Sequence, residues 1–327
     1  MNYRRCALWR WCSSSPGRPL VDRQAAKVID VGKGTQLMSA IKCRSFVVAA
    51  VLFTLAASPG AAQEAPSGSS RVEPVGQSDI STGDDDDAAL VLAEPDFRVL
   101  NLPSTLRLPL HGSSFQLTHR FNGNLRRGSF SANAGNVFGL DQGAVVGFEY
   151  RFGIARHLHA AVYRTAVDKT LQLYGKYDAV RQSHVTPLSL SALVSVEGAD
   201  NFQERYSPAV GLVASRTVRD RVAVYGTPLW VHNTAALLNI DRDTFMVGIG
   251  GRVRVSDTVY LVAEVAPRVG GYAPEKPAYG FAVEKRAGGH MFQLNFNNGQ
   301  GTTFGQVARG GFADTLYLGF NLARKFF

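Results

Sequence analysis

Three features of this 327-residue sequence predict an all-β chain: an antiparallel transmembrane β-barrel of about 12 strands. They are apolar–polar alternation in twelve successive segments, a short–long alternation of the links between them, and an export signal before them. The barrel is expected to follow a cleaved signal peptide and a disordered acidic linker.

Residues 1–37 fit no part of an export signal and read as a mis-assigned start or a long leader. Met38 opens the signal itself, spanning 38–62. Lys42 and Arg44 supply the positive end, Phe46 to Ala57 the apolar run, and Ser58-Pro59-Gly60-Ala61-Ala62 a break with small residues. That run is too short to cross a bilayer, which takes about 20 residues. No cysteine follows it, so lipid attachment at a cysteine is not expected. The exported protein should therefore begin near Gln63. Mass spectrometry of its terminus checks this, and a mature chain still carrying Met1 refutes it.

Removing that segment changes the charge balance. The formal net charge is +9, but residues 1–62 hold 9 Lys/Arg against 2 Asp/Glu, leaving +2 for the remainder. No nucleic-acid partner is expected from so small an excess. Cys6, Cys12 and Cys43 all precede Gln63. The mature chain then has no disulfide, no zinc–cysteine site and no cysteine nucleophile.

Residues 63–96 are rich in Pro, Gly, Ser and acid, without periodicity, and read as a disordered linker. Asp84–Asp87 reads as a solvated acidic tether. It lacks the glycine turn and distal Glu of a calcium loop. The barrel is expected to occupy 97–327.

Within it the apolar period is two. In Gly143–Phe152, Ala144, Val146, Phe148, Tyr150 and Phe152 oppose Val145, Gly147, Glu149 and Arg151. Twelve such segments are predicted: 114–121, 143–152, 157–165, 169–179, 187–196, 206–217, 221–232, 244–255, 258–267, 278–286, 290–297 and 314–326. Their links alternate short and long, apart from Ala166–Asp168. Short turns on one side, longer loops on the other and an even strand number fit an outer-membrane barrel. Both chain ends then fall on the periplasmic side. A closed ring leaves no unpaired edge in lipid. The candidate lumen-facing residues are Glu149, Arg151, Lys176, Arg252, Arg254 and Glu264. Glu149 is expected to meet water or other polar groups there, so Glu149→Arg should fold nearly normally. The last strand, counted back from Phe326, presents Leu322, Phe320, Leu318 and Leu316 on one face.

Several pieces in order carry a resemblance: Asn101-Leu102-Pro103-Ser104-Thr105, Leu117-Thr118-His119-Arg120-Phe121, Tyr174-Gly175-Lys176-Tyr177 with Gln182, and Pro228 with His232-Asn233. Gly289-His290-Met291-Phe292-Gln293-Leu294-Asn295-Phe296 and Gly319-Phe320-Asn321-Leu322-Ala323-Arg324 complete it. Over about residues 99–326 the chain resembles a bacterial membrane-bound, outer-membrane β-barrel domain family of unknown function. The resemblance implies a barrel and a bacterial outer-membrane location, and no catalytic residue.

No cofactor is expected, and no catalytic or metal site. His119-Arg120-Phe121-Asn122-Gly123 approaches the His-x-Ser pair of outer-membrane phospholipases, but Phe121 stands where the nucleophile must be. His157 and His159 share a face without further ligands in view. The leading functional reading is a porin-like narrow channel or small-solute transporter. Charges of both signs on its inner face argue against strong ion selectivity. The alternative is a non-conducting surface barrel binding a partner through long extracellular loops, 122–142 and 298–313. A lipid-modifying outer-membrane enzyme comes third. The partners expected are outer-membrane lipid, the barrel-assembly machinery and a small solute.

Overall fold

The structure, a computed structural model, describes residues 91–235 and 242–327. The expected leader and signal peptide, and residues 63–90 of the expected linker, lie outside them. Each of the twelve alternating segments is a strand. They are β1 (Ser113–Asn124), β2 (Ala144–Ala155), β3 (Leu158–Thr165), β4 (Leu171–Val180), β5 (Ser189–Gly198) and β6 (Glu204–Val218). Then come β7 (Val222–Val231), β8 (Thr244–Arg254), β9 (Val259–Ala266), β11 (Ala278–Ala287), β12 (His290–Asn297) and β13 (Tyr317–Phe326). A short extra strand, β10 (Arg268–Gly271), also pairs with β8. It continues β9 beyond Pro267, whose missing N–H interrupts the ladder.

Every neighbouring pair is antiparallel, and β1 pairs with β13 to close the ring. In β1–β13 the register runs from Ser113↔Phe326 to Arg120↔Gly319, so the chain's end meets the first strand's start. The turns after β2 and β11 are tight, while the links after β1 and β12 are long loops. The exceptional link at Ala166–Asp168 is a tight turn with Asp168 in left-handed backbone (φ 51°).

Burial follows the period of two with its sign reversed from a water-soluble barrel. Phe148 is 51% exposed and Ile154 53%, while Glu149 and Arg151 between them are each 1% exposed. The same inversion holds for Ile249 against Arg252, and for Val283 against Glu284. Leaving large apolar side chains in water and burying charges would be costly on both counts. Lipid outside and a polar interior remove both costs.

Two segments fill that interior, and both differ from the sequence expectation. Residues 91–96, read as the end of the linker, fold inside the ring together with 97–108. Ala93, Glu94 and Asp96 are all buried. The segment is a hairpin: Ser104 N–H donates to Phe97 O, and Val99 N–H donates to Leu102 O. It enters and leaves at the short-turn end, where Gly153 N–H donates to Gly112 O. Loop 298–313, read as extracellular, turns inward from the other end. Its short helix α1 (Phe304–Arg309) is capped by Thr303 and buries Phe304, Val307 and Ala308. Those apolar side chains pack with Leu102 of the hairpin and with Leu193, Val213, Leu229 and Met246 of the wall. The burial of this apolar face is what draws the loop inside.

Candidate functional site: the filled lumen

Strands around the ring converge on the hairpin. Its tip is Leu100-Asn101-Leu102, where three successive N–H groups point one way. Glu264 on β9 accepts all three, at 3.1, 3.2 and 3.1 Å. A carboxylate is acceptor-only and takes several donors, so it suits this cradle. The tip carbonyls are met from β12 and β13, two and three strands along the ring from β9. Gln293 Nε2 donates to Val99 O at 2.8 Å, and Asn321 Nδ2 donates to Leu100 O at 3.2 Å. Arg120 donates to the Asn101 side chain at 3.0 Å.

The charged wall residues pair as they grip. Glu149 receives Arg98 of the hairpin and Arg151 of its own strand, with Tyr174 Oη donating at 2.9 Å. Arg252 makes a bidentate pair with Glu284, at 2.7 and 2.9 Å, and donates to Arg98 O at 2.8 Å. Lys176 donates to Ser104 O and Leu106 O, each at 3.0 Å, and pairs with Asp178 at 2.6 Å. Within the hairpin Glu94 accepts from Thr105 N–H at 2.8 Å. Burial raises the Glu94 carboxyl above its ordinary range, against the pull of the Lys176 cation.

Of the six candidate lumen residues, Glu149, Arg151, Lys176, Arg252 and Glu264 are thus buried inside the ring. Arg254, two residues along the same face from Arg252, lies at the short-turn rim and donates to Asp257 at 2.8 Å. Its strand has reached the end of the wall there. Glu149 meets polar groups, one of the two surroundings expected of it, but two of them are cations, so the expected tolerance of arginine is corrected. Its carboxylate is enclosed by two guanidiniums and a phenol.

The lumen explains glycines that had no assigned role. A Cβ at Gly248 would collide with Leu102, and one at Gly280 would lie 2.7 Å from Leu100 Cδ2. The inner face is bare where the hairpin tip presses against it. In the sequence the signals were present: inward glycines on β8 and β11, and Leu100, Leu102, Leu106 and Leu108 at even spacing.

The catalytic and metal candidates sit elsewhere. His119 and Phe121 point to the outer side of β1, where the imidazole stacks on Phe320 at 4.8 Å. His159 is buried, while His157 lies at a turn with left-handed backbone (φ 64°). Among the described residues no group of three His, Cys, Asp or Glu is placed to hold a metal ion.

Comparison with known proteins gives the chain a family. The profile of a family described as "Membrane bound beta barrel domain (DUF5777)" matches residues 96–326. No curated protein matches. Among solved structures, a KdgM porin is similar at 10% identity, covering 66% of this chain and 99% of that one, with a TM-score of 0.43. A NanC porin is similar at 6% identity, with 66% and 99% covered and a TM-score of 0.43. The COG4313 outer membrane channel from Pseudomonas putida F1 is similar at 12% identity, with 67% and 97% covered and a TM-score of 0.41.

Proposed function

The chain belongs to this family of membrane-bound β-barrel domains, and on that premise we propose that it is a gated, narrow small-solute channel of the bacterial outer membrane. In this reading the short turns and both chain ends face the periplasm, and the long loops face outward. Lipid surrounds the apolar wall, the barrel-assembly machinery inserts it, and no cofactor or catalytic group is required.

One observation carries the gate: the hairpin is held without being part of the barrel. Among the described residues, the backbone–backbone hydrogen bonds of 91–108 are internal to that segment. Its hold on the strands is through side chains such as Glu264, Gln293 and Lys176. It can therefore leave toward the short-turn end without breaking a ladder bond. The polar wall it exposes is suited to water and small polar solutes. Charges of both signs on that wall predict weak ion selectivity.

The filled lumen favours a second reading, a non-conducting barrel with a static core. On that reading partners would use loop 122–142, since most of loop 298–313 is inside. Conductance in planar bilayers separates the two. Wild-type protein should be nearly silent. Deletion of residues 91–108 should produce a steady conductance, provided the barrel still shows its β spectrum. Glu264→Ala, which leaves three tip N–H groups without their acceptor, should give intermittent openings; a hydrogen bond to a charged group contributes about 1.5–3 kcal/mol. Folded variants that both stay silent would refute the gated channel and favour the static barrel.

A further inference from the structure

The loop between β1 and β2 behaves differently from loop 298–313. It leans outward, over the membrane-facing side of β12 and β13, and it is fastened there. Gly123 and Gly139 pack backbone against backbone, too close for any side chain between them. Leu125 N–H donates to Leu316 O at 2.8 Å, and Arg126 donates to Ala313 O at 3.1 Å and to Tyr279 Oη at 3.0 Å. Asn133 Nδ2 donates to Leu125 O at 2.9 Å.

This fastened loop encloses two adjoining cavities that share Asn133. The first, about 390 Å³, is apolar: Leu125, Phe130 and Phe138 of the loop face Leu294, Phe296 and Leu318 of the wall. The second, about 400 Å³, is polar and is lined by Arg127, Asn124, Asn136, Gln142 and Tyr317. Arg127 stands exposed in it, with no side-chain partner among the described residues. Phe130 is 78% exposed beside the first cavity, on a rim where an aromatic ring suits the edge of a bilayer.

A dry slot on the lipid side, joined to a polar chamber with an unpaired guanidinium, matches an amphiphile with a negatively charged head. We propose that the two cavities bind part of a phosphorylated, acylated sugar lipid, one of its acyl chains in the apolar slot and one phosphate at Arg127. The proposal rests on the outer-membrane reading above, which places this rim in the outer leaflet. Burying an acyl chain against Leu294, Phe296 and Phe138 is favourable in proportion to the area removed from water. The planar guanidinium matches phosphate with paired donors. Side-chain amides both donate and accept, as sugar hydroxyls require. A neutral lipid would leave Arg127 unpaired, and a soluble anion would leave the apolar slot empty.

The test is native mass spectrometry of the full protein in detergent, with lipid A, dephosphorylated lipid A and phosphatidylglycerol added in turn. Wild type should retain lipid A. Dephosphorylated lipid A on wild type, and lipid A on Arg127→Gln, should each bind about tenfold more weakly, through loss of the charge-assisted contact. Leu294→Trp, an outer-face change that fills the slot, should abolish retention of both forms of lipid A. Equal retention by all three proteins overturns the proposal, as does indifference to the phosphate. Phosphatidylglycerol retained in place of lipid A overturns it too, and points to the opposite leaflet. Both variants should gate as wild type does in bilayers, so failure to bind lipid is distinct from failure of the channel reading.

Discussion

Glu149→Ala is expected to cost about 3–5 kcal/mol of folding stability, the usual loss when one partner of a buried ion pair is removed. The Glu149 side chain is fully buried and meets the guanidiniums of Arg98 and Arg151. Removing it leaves two cations facing each other, and Tyr174 loses an acceptor. One of those cations belongs to the hairpin, so the loss should also loosen the plug. Glu149→Arg should be worse, because it adds a third cation to an enclosed cluster. Glu149→Gln should be milder, since an amide oxygen still accepts a hydrogen bond. Denaturant titration in lipid vesicles measures all three. A loss for Glu149→Ala below about 1 kcal/mol would mean that water reaches the cluster, and the lumen would then be wet.

Phe148→Arg, one residue away, tests the other face. Phe148 sits between Leu117 on β1 and Arg164 on β3 in the ladder, with its ring on the outer side. An arginine on the lipid face costs roughly 2–4 kcal/mol at the midplane and about 0–1 near an interface. Ile154→Arg, also on the outer side but near the end of β2, should therefore cost much less than Phe148→Arg. The contrast in depth is the informative part. Equal, small effects at both positions would show that this wall does not face hydrocarbon.

Legibility differed sharply between the wall and its contents. The strands were legible because each is a local pattern: side chains alternate across the sheet, so the period of two marks both a strand and its two faces. The side on which the charges lie follows from the same alternation, with Arg254 at the rim because it is the last residue of its strand. The hairpin at 97–104 was not legible. Its own hydrogen bonds are few, and its grip comes from Glu264, Gln293 and Asn321, more than 160 positions away along the chain. No local pattern encodes partners that distant. Residues 91–96 carry acid and proline, which in composition resembles the linker before them.

Loop 298–313 failed for a related reason. Its length and its Gly and Thr content suit a surface loop, and a single buried turn of helix is too short to announce itself by periodicity. The sequence by itself therefore determined a twelve-stranded wall with one apolar and one charged face, since those follow from nearest-neighbour geometry along each strand. Only the tertiary structure decided that the lumen is full. Whether an inward charge meets water or a partner depends on where two other segments pack, and their packing is decided by contacts made across the ring after it closes.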